Sequence, residues 1–196
     1  MKRRNLGFTI IELIIVVVVI GILALITAMA YNNAQIQAGD TKIRDAADKV
    51  ADAIKLFTAR EGHFPRGGNG STTAIGTGSE CVDGAGGFVT TGLYSCNLAD
   101  TLVASQYLSS DLFTGLPKNN YFTASVTVPN ADIIVYKLTP GGQSRALVMY
   151  TLADPDPADD TNFTKQLADC GIGATSADFM RYHDTWGMRG AKCFDV

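Results

Sequence analysis

The chain has 196 residues, of which 46% are hydrophobic and 18% are charged, a composition that excludes a disordered tail or a collagen-like fibre. Its 16 basic and 19 acidic residues give a net charge of -3, which provides no basic surface for nucleic acid. Two histidines, His63 and His183, leave little material for a metal enzyme. The hydrophobic excess is local, because it lies between residues 10 and 30 and the remainder reads as an ordinary folded domain.

The N-terminus combines a cationic patch with a long apolar run. Lys2, Arg3 and Arg4 precede residues 13–30, which carry no charge. With the isoleucines just before it, this run reaches the length of about 20 residues that spans the hydrocarbon core of a bilayer. The basic residues lie on one side only, so the positive-inside rule places the N-terminus in the cytoplasm. The sequence therefore predicts a single membrane-spanning segment.

Glu12 is the unusual residue of this segment. A carboxylate beside an apolar membrane run is costly and normally has a partner or a function. Residues 7–13 read Gly-Phe-Thr-Ile-Ile-Glu-Leu, directly after the basic patch. This motif resembles the class III signal of type IV prepilins.

The resemblance implies a defined processing step. In that family, prepilin peptidase cuts after the glycine on the cytoplasmic side and methylates the new N-terminal amine. Here the cut would fall between Gly7 and Phe8, so residues 1–7 would be a cleaved leader and Phe8 would carry the methyl group. The methylated amine remains a cation. Glu12 would neutralise it, either as an i,i+4 pair within one helix or in a neighbouring subunit.

One position departs from the family pattern. Many pilins have a helix-bending proline where this chain has Met29, and no proline occurs here before Pro65. Gly21 is the only intrinsic weak point in the first half of the helix, because glycine destabilises a helix by roughly 1 kcal/mol relative to alanine. The residues present therefore do not support the local melting of this helix that the resemblance would imply.

After residue 31 the pattern becomes amphipathic, which predicts a helix with one buried stripe and one solvent-facing side. The predicted stripe contains Ile36, Ile43, Ala47, Val50, Ile54 and Phe57. The predicted solvent-facing charges are Asp40, Lys42, Arg44, Asp45, Asp48, Lys49, Asp52 and Lys55. Gly62 is expected to end the helix, and Pro65 prevents its continuation. Residues 57–65 also resemble the exit of the long helix in pilins and major pseudopilins.

The remaining residues predict a globular head. Glycine, serine and threonine dominate residues 66–93, which indicates a long loop, and a short helix is expected at residues 97–107. Three alternating segments, 121–128, 133–138 and 146–152, predict an antiparallel meander. One face of this sheet would pack on the apolar stripe of the long helix, which gives an α+β fold with a small sheet of about three to four strands.

The predicted organisation has four parts: a cleaved leader 1–7, a transmembrane and filament-core helix 8–31, an amphipathic half of the same helix 32–61, and a globular head 62–196. Within the head, the expected parts are a loop region 62–120, a meander sheet 121–152 and a C-terminal region 153–196.

Four carboxylates lie close together early in the C-terminal region, at Asp154, Asp156, Asp159 and Asp160. Calcium takes oxygen ligands, so they form a weak candidate for a calcium loop. The central glycine and terminal glutamate of an EF-hand are missing. A solvated acidic loop is the favoured interpretation.

The end of the chain is predicted to contain a short helix at residues 176–185, with Ser176 as its N-cap. Trp186 and Phe194 are expected to anchor the tail on the sheet. His183 and Asp184 lack a serine or cysteine nucleophile signature, so we interpret them as a structural pair.

All four cysteines lie beyond the apolar run, on the side expected to be exported. An even number in an exported domain favours disulfides over a metal site, and three connectivities are possible. The preferred one joins Cys81 to Cys96 and Cys170 to Cys193, because each bridge then stabilises a segment with little regular structure. The second bridge would resemble the disulfide-bounded C-terminal loop of the pilin family.

These features favour a structural subunit over an enzyme. The resemblance implies a type IV pilin that polymerises through its N-terminal helix into an extracellular filament for adhesion, motility or DNA uptake. It would begin as a single-pass precursor in the cytoplasmic membrane and end in a pilus on the cell surface. The expected partners are copies of itself, the inner membrane before assembly, prepilin peptidase and the pilus assembly machinery. Apart from the weak candidate calcium loop, no cofactor is expected, and no nucleic-acid site is expected either.

Two alternatives remain at this point. The main one is a pseudopilin of a type II secretion or competence system. The other is a membrane-anchored enzyme, against which stands the lack of a coherent catalytic triad, metal set or phosphate loop in the sequence.

Overall fold

The computed structural model of the protein describes residues 9–65, 86–88, 98–113, 116, 133–173 and 176–196. The chain divides by its contacts into two compact units, Met1–Ala38 and Gly39–Val196. Helix α1, Ile10–Glu61, has 52 residues and contributes to both units. The elements are α+β in kind, with this long helix, a small antiparallel sheet and three shorter α-helices in the described residues.

The described part of the first unit is the N-terminal portion of α1, and every residue from 9 to 38 is exposed. Gly21 and Met29 both lie inside the helix, which continues without interruption through them. Thr27, a polar residue in the apolar run, donates its hydroxyl to the carbonyl oxygens of Leu23 and Ala24, at 3.0 and 2.9 Å. The helix thereby satisfies this hydroxyl internally, as an apolar surrounding requires.

In the second unit, α1 presents the predicted apolar stripe to the core. The buried hydrophobic residues are Ile43, Ala46, Ala47, Val50, Ala51, Ala53, Ile54 and Phe57. Two predictions for this helix were wrong. Ile36 is 40% exposed and belongs to the first unit, whereas Asp40, expected to face solvent, is only 5% exposed. The helix ends as predicted, because Gly62 has a φ of +74° and its N–H donates to Thr58 O at 3.0 Å.

In the part of the chain that the structure describes, four strands form one antiparallel sheet in the order β1-β2-β3-β4. Their bounds are Gly86–Phe88, Ile133–Leu138, Arg145–Thr151 and Met188–Asp195. The register pairs Val135 with Val148, and Leu147 with Cys193. β2 and β3 confirm two predicted strands, while the strand predicted at residues 121–128 lies outside the described residues.

Helices cover both faces of this sheet. Helix α1 and helix α2, Leu98–Ala104, pack on one face with Phe64, against side chains such as Val135 and Val148. Helix α3, Pro157–Asp169, and helix α4, Ala177–Trp186, lie on the opposite face. There, Phe163 and Leu167 are fully buried against Leu147 and Met149. Strand alternation explains the division, since neighbouring residues such as Leu147 and Val148 point to opposite faces.

Three parts of the head are more regular than the sequence indicated. β1 lies in the glycine-rich region expected to be a loop, and β4 lies in the expected tail. The acidic segment expected to be a solvated loop contains the start of α3. The prediction failed there because Asp156 and Pro157 form a helix start, with Asp156 as N-cap and proline at the first helical position.

Short 3-10 turns complete the described head, at Ser110–Phe113 and Pro140–Gly142. Helix α4 starts directly after Ser176, as predicted, although the Ser176 side chain makes no capping hydrogen bond. Phe194 packs against the core on the α1 side of the sheet, which agrees with its predicted anchoring role. Trp186 is the last residue of α4, and its side chain lies outside the description.

Candidate functional site

The start of α1 is organised by two residues of the candidate processing and assembly segment. Glu12 Oε2 accepts hydrogen bonds from the amide and the hydroxyl of Thr9, at 2.8 and 2.6 Å. In return, the amide of Glu12 donates to Thr9 Oγ1 at 3.4 Å. This reciprocal pattern is a capping box, and its signature, Thr-x-x-Glu before an apolar run, is visible in the sequence. The predicted cleavage residues Gly7 and Phe8 lie outside the described residues.

Beyond Glu12, α1 provides a helix that is long and apolar enough to cross a membrane. The most apolar 18-residue window of this helix has no residue buried inside the protein. From Leu13 to Gly39 there is no charged side chain. Leaving many leucine, isoleucine and valine side chains in water is unfavourable by roughly 1.5–3 kcal/mol for each. This surface therefore requires a membrane or another protein surface to cover it.

Asp40 ties α1 to the segment that follows β3. Its carboxylate accepts hydrogen bonds from the backbone N–H groups of Ala153 and Asp154, at 2.8 and 2.9 Å. A buried carboxylate is stable when such donors compensate for its lost hydration. No sequence signal indicated this role, because the donors are backbone groups more than 100 residues away.

The predicted Cys170–Cys193 disulfide is present. It joins the C-cap of α3 to β4, with a Cα–Cα distance of 5.6 Å. Cys170 is 1% exposed and belongs to the core between α3 and the sheet. Cys81 and Cys96 lie outside the described residues, so their bridge stays a prediction.

The four candidate calcium ligands have separate surroundings. Asp156 accepts from the N–H groups of Ala158 and Asp159 and caps α3. Asp159 forms an ion pair with Arg44 at 2.7 Å. The backbone N–H of Asp154 is bonded to Asp40. Within the described residues, no group of three or more His, Cys, Asp or Glu side chains is placed to hold a metal ion.

Asp160 belongs to a polar cluster that connects α3, α4 and β4. His183 is 8% exposed, and its Nε2 and Nδ1 lie 3.0 and 2.7 Å from carboxylate oxygens of Asp160 and Asp184. Arg189 Nη1 donates to Asp160 Oδ1 at 3.1 Å. The hydrogen bond with His183 lowers the pKa of Asp160, burial opposes this shift, and Arg189 adds to it. The predicted structural pair of His183 and Asp184 is thus part of a larger network, which no sequence signal indicated.

Comparison with known families gives a match at the N-terminus. Residues 2–28 match the family model described as the prokaryotic N-terminal methylation motif. No curated protein and no solved structure matches the chain. The matched residues include the basic patch, the predicted cleavage position and Glu12, which are the same features that carry the resemblance in the sequence. The chain therefore has the class III signal of a type IV pilin or pseudopilin precursor.

Proposed function

We propose that this protein is a type IV pilin-like subunit that polymerises through the N-terminal part of α1 into an extracellular filament. The observation that carries the proposal is the conjunction of the methylation motif at residues 2–28 with an entirely exposed apolar helix segment. A membrane can cover that segment in the precursor. After cleavage, copies of the same segment can cover one another, so one surface serves both states.

Glu12 has a defined task in this proposal. In a core formed by copies of the apolar segment, the methylated amine of Phe8 needs a counter-charge, because an unpaired ion in such an environment is costly. Between Glu12 and Asp40 the described helix has no other carboxylate. The proposed pair is therefore the Phe8 amine and Glu12, with prepilin peptidase as the enzyme that creates the amine.

The head suits an exported location. It has the Cys170–Cys193 disulfide, and such bonds persist in oxidising compartments. Under the proposal, the head forms the outside of the filament, and its loops contact the surroundings. The proposal includes no enzymatic activity.

A pseudopilin of a secretion or competence system is the second candidate. One observation favours it: α1 continues unbroken through Met29, the position at which many pilins have a helix-bending proline. Both candidates share the processing step and helix-mediated assembly, and they differ in whether the fibre leaves the cell.

Mechanical shearing of cells separates these functions. Surface filaments are sheared off, pelleted and probed for the chain, and a Gly7→Leu variant, which should resist cleavage, serves as the control. We expect the wild-type chain in the sheared filaments and the control chain only in membranes. A wild-type chain confined to the cell envelope in short assemblies would support a pseudopilin, and an unassembled, full-length membrane protein would contradict both.

A further inference from the structure

The second unit has a groove of about 550 Å³ between α1 and the segment that follows α2. Ala53, Leu56, Leu108 and Leu112 provide apolar walls. These side chains come from two separate parts of the chain, one on α1 and one at residues 107–112. Phe57 and Tyr107 hold those parts together, with their rings 5.2 Å apart in an edge-to-face arrangement. The groove is therefore a feature of the folded head.

Leu56 makes this groove unusual. It is 58% exposed, whereas the other large apolar side chains of the described head are buried or partly buried. Every other exposed large apolar residue in the described chain lies on α1 between residues 10 and 36. Leu56 and the apolar walls of the groove together form one contiguous apolar surface, and a surface of this kind with a polar rim marks an interaction site.

The rim of the groove is polar and carries both signs of charge. Lys49, Asp52 and Asp111 line it together with Ser109. Lys49 forms an ion pair with Asp45 at 2.7 Å. A charged partner segment would meet a like charge on such a rim, whereas a neutral segment with amide side chains can donate to the carboxylates and accept from the ammonium group.

A segment of α1 has this chemistry. Residues 31–37 read Tyr-Asn-Asn-Ala-Gln-Ile-Gln, so they are neutral, rich in amides and helical. Ile36 is 40% exposed and lies beyond the 10–30 run that a bilayer core can cover. Lipid tails therefore do not cover Ile36, which lies on a neutral helix surface. They do not cover Leu56 either, which lies in the groove.

We propose that the groove around Leu56 binds residues 31–37 of a second copy, with Ile36 packed on Leu56. This inference rests on the proposed function, because it adds a head-to-helix contact to assembly through α1. All copies enter the membrane in the same direction, so the two helices are parallel. The contact joins position 36 of one copy to position 56 of another. Since the two surfaces differ, the contact is heterologous and repeats from copy to copy along a filament.

Cysteine cross-linking of assembled filaments tests this arrangement. In an Ile36→Cys/Leu56→Cys chain, each copy offers both halves of the contact, so mild oxidation should give a ladder of covalent multimers on non-reducing gels. Each single variant should give no ladder, and neither should Ile36→Cys/Ala168→Cys, whose second cysteine lies on the exposed side of α3. Filaments of the double variant without a ladder, or with an equal ladder in the α3 control, would overturn the proposal.

A second measurement tests the same contact if the double variant assembles poorly. A photoreactive phenylalanine analogue at Ile36 should cross-link, in filaments, to the peptide of another copy that contains Leu56 or Leu112. Cross-links to lipid alone, or to head peptides outside the groove, would overturn the contact. Leu56→Lys should lower filament yield by about tenfold or more, while Leu56→Met retains it, because only the first loses the apolar burial. An unchanged yield for Leu56→Lys would also contradict the proposal.

These results differ from a failure of the proposed function. If the wild-type chain forms no filament under any condition, assembly through α1 is wrong. If wild-type filaments form and these contacts are absent, only the groove contact is wrong.

Discussion

Thr9 and Glu12 cap each other at the N-terminus of α1. The carboxylate of Glu12 receives both the amide and the hydroxyl hydrogen bonds of Thr9, and the Glu12 amide donates to the Thr9 hydroxyl oxygen. Glu12 thus stabilises the start of the helix within one chain. In the assembled state, the same carboxylate is the proposed counter-ion of the Phe8 amine. These two roles need different chemistry, because capping requires an acceptor and pairing requires a charge.

Two substitutions of Glu12 separate these roles. Glutamine retains a capping acceptor and loses the charge, whereas alanine loses both. We expect Glu12→Gln and Glu12→Ala to be exported and cleaved, and both to incorporate poorly into filaments, since an uncompensated buried ion costs roughly 3–5 kcal/mol. The measurement is the fraction of the cleaved chain recovered in sheared filaments. Wild-type incorporation of Glu12→Gln would assign Glu12 to capping alone.

The buried Asp40 should be a major contributor to the stability of the head. Asp40→Ala removes a buried carboxylate that accepts hydrogen bonds from the N–H groups of Ala153 and Asp154, and we expect it to lower the free energy of unfolding by about 2–4 kcal/mol. Asp45→Ala is the matched control, because Asp45 lies on the same helix, is exposed and forms an ion pair with Lys49. Urea denaturation of the full chain in detergent micelles measures both variants. Equal, small effects would show that the Asp40 hydrogen bonds contribute little.

The interactions of Asp160 should make the stability of the head depend on pH in acid. Its hydrogen bond with His183 lowers the pKa of Asp160 below the ordinary value of 3.8. A carboxyl group with a lowered pKa contributes stability above the ordinary value and loses this contribution as the pH falls through its pKa in the folded state. The free energy of unfolding should therefore fall below about pH 4, and less steeply in Asp160→Asn. Asp169→Asn, which changes an exposed carboxylate paired with Lys165, should retain the wild-type slope. Identical slopes for wild type and Asp160→Asn would exclude this contribution.

The Cys170–Cys193 bridge should stabilise the attachment of α3 to β4. It closes a separation of 23 residues, for which loop entropy gives about 3 kcal/mol. Cys193→Ser should lower both stability and filament yield, and Cys81→Ser should lower them less, because the predicted Cys81–Cys96 bridge encloses a glycine-rich loop. Peptide mapping without reduction gives the connectivity directly. A Cys96–Cys170 link, or a larger loss in Cys81→Ser, would contradict this assignment.

Local and periodic signals in the sequence predicted much of the fold. The stripe from Ile43 to Phe57 recurs at helical spacing, and it is buried as expected. The glycine after the long helix ends it with a positive φ, and the alternation in β2 and β3 gave both strands. The methylation motif was also readable, because its residues are consecutive.

Features that depend on distant partners could not be predicted in this way. β4 contains Gly190 and charged residues and has no clear alternation, and it is a strand because it pairs with β3. Gly190 is required there, since a Cβ would lie 1.9 Å from the Tyr150 ring. Asp40 has the sequence context of a solvent-facing charge, but it is buried and its carboxylate accepts two hydrogen bonds from the segment after β3. Similarly, Ile36 continues the apolar spacing, but it belongs to the first unit and is 40% exposed.

The intact mass of the chain recovered from purified surface filaments tests the central claim most directly. If the protein is a processed filament subunit, this mass corresponds to a chain that starts at Phe8, carries one additional methyl group and contains its disulfides. The same measurement on the Gly7→Leu membrane fraction should give the uncleaved chain. A filament chain that starts at Met1, a cut near residues 28–30, or the absence of the chain from filaments would contradict the account.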